Sequence, residues 1–222
     1  GEVSTRLGLK GIPNLSEELQ LTRDLYILEY TGGKLHIPTI STAKSVSLIA
    51  EAKNKGFDVS CSVAVHNLFY TDKVLEEFDA SYKVMPPLRT KTDTEALIKG
   101  LKNGTIDYIT SDHIPMNIEE KRKEFDNAAS GSIGLETAFG IANQLFNIET
   151  VIRLFTKGRE RYGLKSPKIS EGEAACLTLF NPDEVSVFKE ENIDSTSKNS
   201  MFLGAELKGM VYGTVNNGQI LF

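Results

Sequence analysis

The chain has 222 residues, 40% hydrophobic and 25% charged, with 25 Lys and Arg against 30 Asp and Glu for a net charge of −5. That length and balance describe a globular protein with a sizeable core, one large domain or one and a half smaller ones. The negative charge excludes a general binder of nucleic acid or of anionic membrane. No apolar run reaches the roughly 18 residues of a membrane span, and no basic, apolar leader is present, so the expected compartment is the cytoplasm. Cys61 and Cys176, far apart inside apolar runs, are expected there as buried free thiols.

Near the start, Glu17, Glu18, Arg23 and Asp24 read as surface or interhelix pairs on a helix. Residues 34–41, KLHIPTIS, read as a short strand. Residues 41–56 then take helical spacing, with Val46, Ile49, Ala50 and Lys53 at i, i+3, i+4 and i+7 and Gly56 as the stop. DVSCSVAVHNLF (58–69) is the next strand, and YKVMPPL (82–88) a third, ending where Pro86 and Pro87 remove ladder donors. Residues 92–104 read as a helix capped by Thr92 or Thr94 and closed by Gly104, and IDYITSD (106–112) as a fourth strand. EEKRKEF (119–125) reads as a solvated amphipathic helix face, and KGRERYG (157–163) as a helix end stopped by Gly163. From about residue 170 the pattern changes to short strands, ACLTLFNP and LKGMVYGTVNNGQILF, with Asn217-Gly218 as a hairpin turn.

Strands alternating with helices predict βαβ units and a parallel sheet. In a (β/α)8 barrel the reactive groups gather at the C-terminal ends of the strands, and here Thr39, His66, Met85 and Asp112 mark four such ends. Only four units fit, so the spacing describes half of a barrel followed by a small β subdomain. A metal-dependent hydrolytic site needs imidazoles and a carboxylate at one focus: the metal acidifies a bound water and the carboxylate accepts its proton. Of the three histidines, His36, His66 and His113, only His66 is placed to share that focus with Asp112. His113, adjacent to Asp112, points to the other side of a continuing strand. A strand-end histidine is more often structural, so the residues alone leave both readings open.

Longer motifs go further. The opening GEVSTRLGLKGIPNLSEELQLTRDLYILEYTGGKLHIPTIST, then VHNLFYTD, YKVMPPLRTKTD, GLKNGTIDYITSDHIP, EEKRKEFDNAASGSIGLET and GAELKGMVYGTVNNGQ follow one another in a familiar order. Across residues 1 to 222 the chain resembles the C-terminal half of a dihydroorotase of the cyclic amidohydrolase superfamily. The resemblance implies the second half of a (β/α)8 TIM barrel of the metal-dependent amidohydrolase type over 1–165, with a small β subdomain segment over 166–222. It also implies interconversion of dihydroorotate and carbamoyl aspartate in pyrimidine biosynthesis, with zinc as the metal. By resemblance His66 is a metal ligand, and Asp112 is both ligand and general base or acid. Arg89, in the PPLR turn, takes a structural role, and Gly131 and Gly134 stand in a loop that borders the substrate.

The departures are specific. Thr39 stands where a metal histidine is expected, and His36, three positions earlier, reads as a packing residue. Met85 replaces the asparagine of NPPLR and Met116 the second histidine of DHAPH, so two polar substrate contacts have become thioethers. The family's paired strand 1 histidines lie outside the chain. Two readings follow: a hydrolase with an altered, mononuclear metal site, or a non-catalytic homologue serving as a scaffold for aspartate transcarbamoylase. The chain is expected to be a fragment, inactive alone, exposing an apolar barrel interior and two open sheet edges. Its missing N-terminal half, or a second copy in a homodimer, would cover that surface.

Overall fold

The computed structural model describes residues 1–222. Helices α1 (Glu2–Leu7) and α2 (Asn14–Thr31) lead into strand β1 (Leu35–Ile37), helix α3 (Ala43–Asn54), strand β2 (Val59–Ala64) and the short helix α4 (Val65–Phe69). Helix α5 (Lys91–Lys102), strand β3 (Tyr108–Thr110) and helices α6 (Ile118–Lys121), α7 (Ala138–Leu145), α8 (Ile148–Thr156) and α9 (Gly158–Arg161) follow. Strands β4 (Cys176–Val187), β5 (Glu206–Asn216) and β6 (Gln219–Leu221) come last.

Two sheets result. Strands β1, β2 and β3 are parallel and lie in that order, and β4, β5 and β6 form an antiparallel meander. Helix α3 starts where the Thr42 side chain accepts the Ser45 amide, and α5 where Thr90 and Asp93 make a reciprocal capping box. The cap therefore lies two residues before the first threonine that the sequence suggested. Asn217 and Gly218 both have positive φ, 49° and 75°, and turn β5 into β6 as their pairing predicts.

Every residue of β2 is buried, and the strand divides its two faces by chemistry. Val59, Cys61 and Val63 join the apolar core with Ile49 of α3 and Leu97 and Leu101 of α5. The opposite face is polar, which corrects the expected apolar barrel interior. His36 meets the Ser60 hydroxyl at 2.8 Å through Nδ1 and the Tyr108 hydroxyl at 2.9 Å through Nε2. Its ring stacks on Tyr108 with centroids 5.1 Å apart. Polar groups survive here because they satisfy one another across neighbouring strands. His36 is thus a packing residue, as its sequence position suggested.

Three further expectations are corrected. Residues 82–88 form no strand: β2 pairs directly with β3, and Pro86 and Pro87 cannot donate to a ladder. Residues 119–125 are largely solvated as expected, with Glu119, Glu120, Arg122, Lys123 and Glu124 exposed, but the helix stops at Lys121 and the Lys121 side chain is buried. Cys61 is buried as expected but Cys176, at the start of β4, is exposed. Arg161 closes the far end of the parallel sheet, donating to the Leu35 carbonyl at 2.7 Å and pairing with Asp58. Gly163, at φ 66°, follows it as the expected stop.

Candidate functional site

Strand β2 runs without a loop into α4, so His66, the second residue of that helix, is fixed directly at the strand end. It is 1% exposed. Its Nε2 lies 3.8 Å from Oδ2 of Asp112, two residues beyond β3. Neither atom has a hydrogen-bond partner, and both are buried. Burial alone pushes the His66 imidazole down to about 4 and the Asp112 carboxyl up. Each orphaned group costs about 1–3 kcal/mol unless something satisfies it. At 3.8 Å the two do not hydrogen-bond each other, and together they would offer one nitrogen and one oxygen donor to a metal ion. No third His, Cys, Asp or Glu joins the pair, so this chain offers two donors to such a centre.

The remaining candidates fall around that pair. Thr39 ends the turn after β1 with φ 46°, its amide 3.3 Å from the Ser62 hydroxyl. Asp112 shares the same left-handed backbone, φ 46°, with its amide donating to the Thr110 hydroxyl at 3.2 Å. Left-handed residues at both flanking strand ends are uncommon, most of all for a β-branched threonine, and such strain gathers at functional sites. Met85 is 49% exposed in the 82–88 segment, and Met116 is half-buried. Gly131 is buried with φ 148°, and a Cβ there would lie 2.6 Å from the Ile114 side chain. A cavity of about 480 Å³ lies to the side, among Lys10, Ile12, Tyr82, Met85 and Arg89, and His66 and Asp112 do not line it.

His113 faces away from this focus. Its Nδ1 accepts from the amides of Gly134 at 3.2 Å and Leu135 at 3.3 Å, which leaves the ring proton on Nε2. Nε2 points at the Ser195 hydroxyl, 3.4 Å away, and that hydroxyl donates to Glu136 at 2.5 Å. Serine, histidine and glutamate thus meet in the wrong order for a nucleophile, because the imidazole donates to the serine instead of accepting from it. Their work is to hold residues 132–137 against the exit of β3. Gly134 packs so closely that a Cβ would lie 2.3 Å from the Ser111 carbonyl oxygen.

A second brace holds the end of β1. Glu17 accepts from the Ser41 amide at 2.8 Å, the Thr42 amide at 3.2 Å and the Ser45 hydroxyl at 2.6 Å. Buried Arg89 donates to the Ser41 hydroxyl at 3.0 Å and the Ile12 carbonyl at 2.6 Å. Arg89 is structural, as its motif suggested. Glu17 was legible only as a surface or interhelix acid, although the hydroxyls of Ser41, Thr42 and Ser45 were a signal that an acceptor was needed. Ser195 and Asn199 carried no sequence signal at all.

The amidohydrolase family matches residues 9–221. The chain belongs to the amidohydrolase family. Named dihydroorotases are similar along all of it: that of Caldicellulosiruptor saccharolyticus is 42% identical and that of Desulforapulum autotrophicum 38%, the chain covering 53% of each. The chain thus spans about half the length of the curated relatives it matches. Among solved structures, the L-hydantoinase (dihydropyrimidinase) of Arthrobacter aurescens superimposes with a TM-score of 0.86 at 26% identity, over 94% of this chain and 49% of that one. The inactive dihydroorotase-like domain of a Chaetomium thermophilum CAD-like multifunctional protein shares the fold, with a TM-score of 0.68 at 22% identity. The fold of this chain is therefore a partial TIM barrel with a parallel sheet, as expected. Members of the family generally bind a metal, and the chain brings His66 Nε2 and Asp112 Oδ2 to within 3.8 Å of each other. No helix is long and apolar enough to cross a membrane.

Proposed function

We propose that this chain is the later half of a dihydroorotase-type enzyme, interconverting dihydroorotate and carbamoyl aspartate, with His66 and Asp112 as ligands of a zinc whose other ligands lie elsewhere. The observation that supports this most directly is the pair of buried, partnerless atoms, His66 Nε2 and Asp112 Oδ2, 3.8 Å apart at adjacent strand ends. The curated relatives named dihydroorotase agree with it. When bound, the metal would supply the acidity that turns water into a nucleophile near neutral pH. His66 stays neutral down to about pH 4 and so keeps its Nε2 lone pair available for coordination. Asp112 would hold the metal through Oδ2, which leaves its other carboxylate oxygen, Oδ1, to carry a proton. It accepts that proton from water as the ring amide carbon is attacked, then returns it to the ring nitrogen as the C–N bond breaks.

In the same reading Met85, Met116 and Gly131 border the substrate, residues 1–165 form the barrel portion and 166–222 a β subdomain, and the protein works in the cytoplasm. The rest of the barrel, or a second copy, completes the site. No observation favours the scaffold reading with aspartate transcarbamoylase as partner.

The test is elemental analysis of the complete protein purified with zinc supplied, together with dihydroorotate hydrolysis by wild type and Asp112→Asn. One or two zinc per chain, with turnover lowered about 10²–10⁴-fold by the substitution, is expected. Zinc well below one per chain and no turnover of either substrate would overturn the proposal.

A further inference from the structure

Two buried polar side chains that the mechanism does not use meet at the Gly131 carbonyl. Lys121 is 7% exposed, yet its amine lies against carbonyl oxygens instead of a carboxylate. It donates to Gly131 at 2.9 Å, Ala129 at 3.1 Å and Lys83 at 3.4 Å. Asn199, also 7% exposed, comes from the far end of the chain. Its Oδ1 accepts the Met116 amide at 3.0 Å, and its Nδ2 donates to the carbonyls of Ile114 at 3.0 Å and Gly131 at 3.2 Å. The Gly131 carbonyl is thus shared by both residues, and the Gly131 amide in turn donates to Lys83 at 2.9 Å. The amine of Lys83 donates elsewhere, to the carbonyls of Phe125 at 2.8 Å and Asp126 at 2.9 Å.

Three separate segments are tied by this node: 83–85, 114–116 and 129–131. They carry Met85, Met116 and Gly131. None of the three is in a helix or strand, so no ladder fixes their spacing. An ammonium with three donors and an amide using both of its ends are suited to fixing it, because each bond lost leaves a buried carbonyl or amide unpaired.

We propose that Lys121 and Asn199 act together as positioning residues that hold these three segments in one register at the mouth of the site. As the segments would contact substrate and not the reacting bond, the clamp sets substrate affinity more than chemical rate. The affinity part rests on the proposed function, while the clamp itself does not.

The test uses the complete protein with Lys121→Met, Asn199→Leu and the double variant. Amide exchange, followed by mass spectrometry, is read at positions the altered side chain does not bond. Lys121→Met should speed exchange at the Met116 amide, and Asn199→Leu at the Gly131 amide, each by about tenfold, with the amides of β2 unchanged. At the Gly131 amide, which neither side chain bonds, the double variant should add little to either single one. In turnover, KM for dihydroorotate should rise about tenfold with kcat within about threefold. Unchanged exchange at those two remote amides in folded variants overturns the clamp, and a fall in kcat at constant KM overturns its role in substrate affinity. If one variant does not fold, the remote amide in the other still decides. If wild type turns over neither substrate, the functional proposal falls, and exchange alone decides the clamp.

Discussion

Thr39 holds a backbone angle that its own side chain disfavours, φ 46°, at the position where the family pattern leads one to expect an imidazole. The strain is of order 1–3 kcal/mol for a β-branched residue and is smaller for asparagine or histidine, which visit this region more readily. Thr39→Asn should therefore raise the stability of the chain by about 1 kcal/mol, measured as a shifted urea midpoint at constant slope. An unchanged midpoint would mean that the fold does not enforce the angle. His66 and Asp112 were legible in the sequence because a buried strand followed by a polar residue is a local pattern, visible within a dozen positions. Lys121 was not, because a lysine amid EEKRKEF has the local signature of a solvent-facing charge. Only the fold reveals that three carbonyls surround it.

Among the elements, the loop after β3 is the least tolerant. Its path is set by His113 accepting two successive amides and by Gly134 lying against Ser111. A methyl group at Gly134 would meet a backbone carbonyl, which unlike a side-chain tip cannot swing aside. Gly134→Ala should cost about 2–3 kcal/mol in the unfolding free energy. Because Ser111 precedes Asp112, metal uptake should fall with it. Loss of stability without loss of metal would separate this loop from the strand end it is argued to support. The alternation of strands and helices that placed this loop was readable, but the segment 82–88 misled. Its apolar residues and flanking prolines match an ending strand, and only the direct pairing of β2 with β3 removes the place for one. Pairing partners are non-local, and a local pattern does not contain them.

For the molecule as a whole, the site imposes a pH dependence on folding. Unfolded His66 takes up a proton near 6.5, the folded residue only near 4. Between those values the unfolded state binds more protons, so stability falls as the pH drops from 6.5 toward 4, by up to about 3 kcal/mol. Asp112 acts the opposite way, since its raised carboxyl keeps a proton in the fold that the unfolded chain has released. Its contribution is fully present at low pH and lost as the pH rises through its folded value. Chelator-treated protein followed by urea unfolding across this range should show the His66 slope, and His66→Leu should flatten it. A slope that persists in the variant would place its origin elsewhere.

The reach of Asn199 has a consequence for how the protein is made. Its bond to the Met116 amide joins residues 83 positions apart. A ribosome adding ~5–20 residues per second needs roughly 4–17 s to cover that distance. Throughout that interval the nascent sheet and its helices can already be in place, while the Met116 amide still lacks the side chain that secures it. The mouth of the pocket is therefore finished late in translation, well after the strands beneath it.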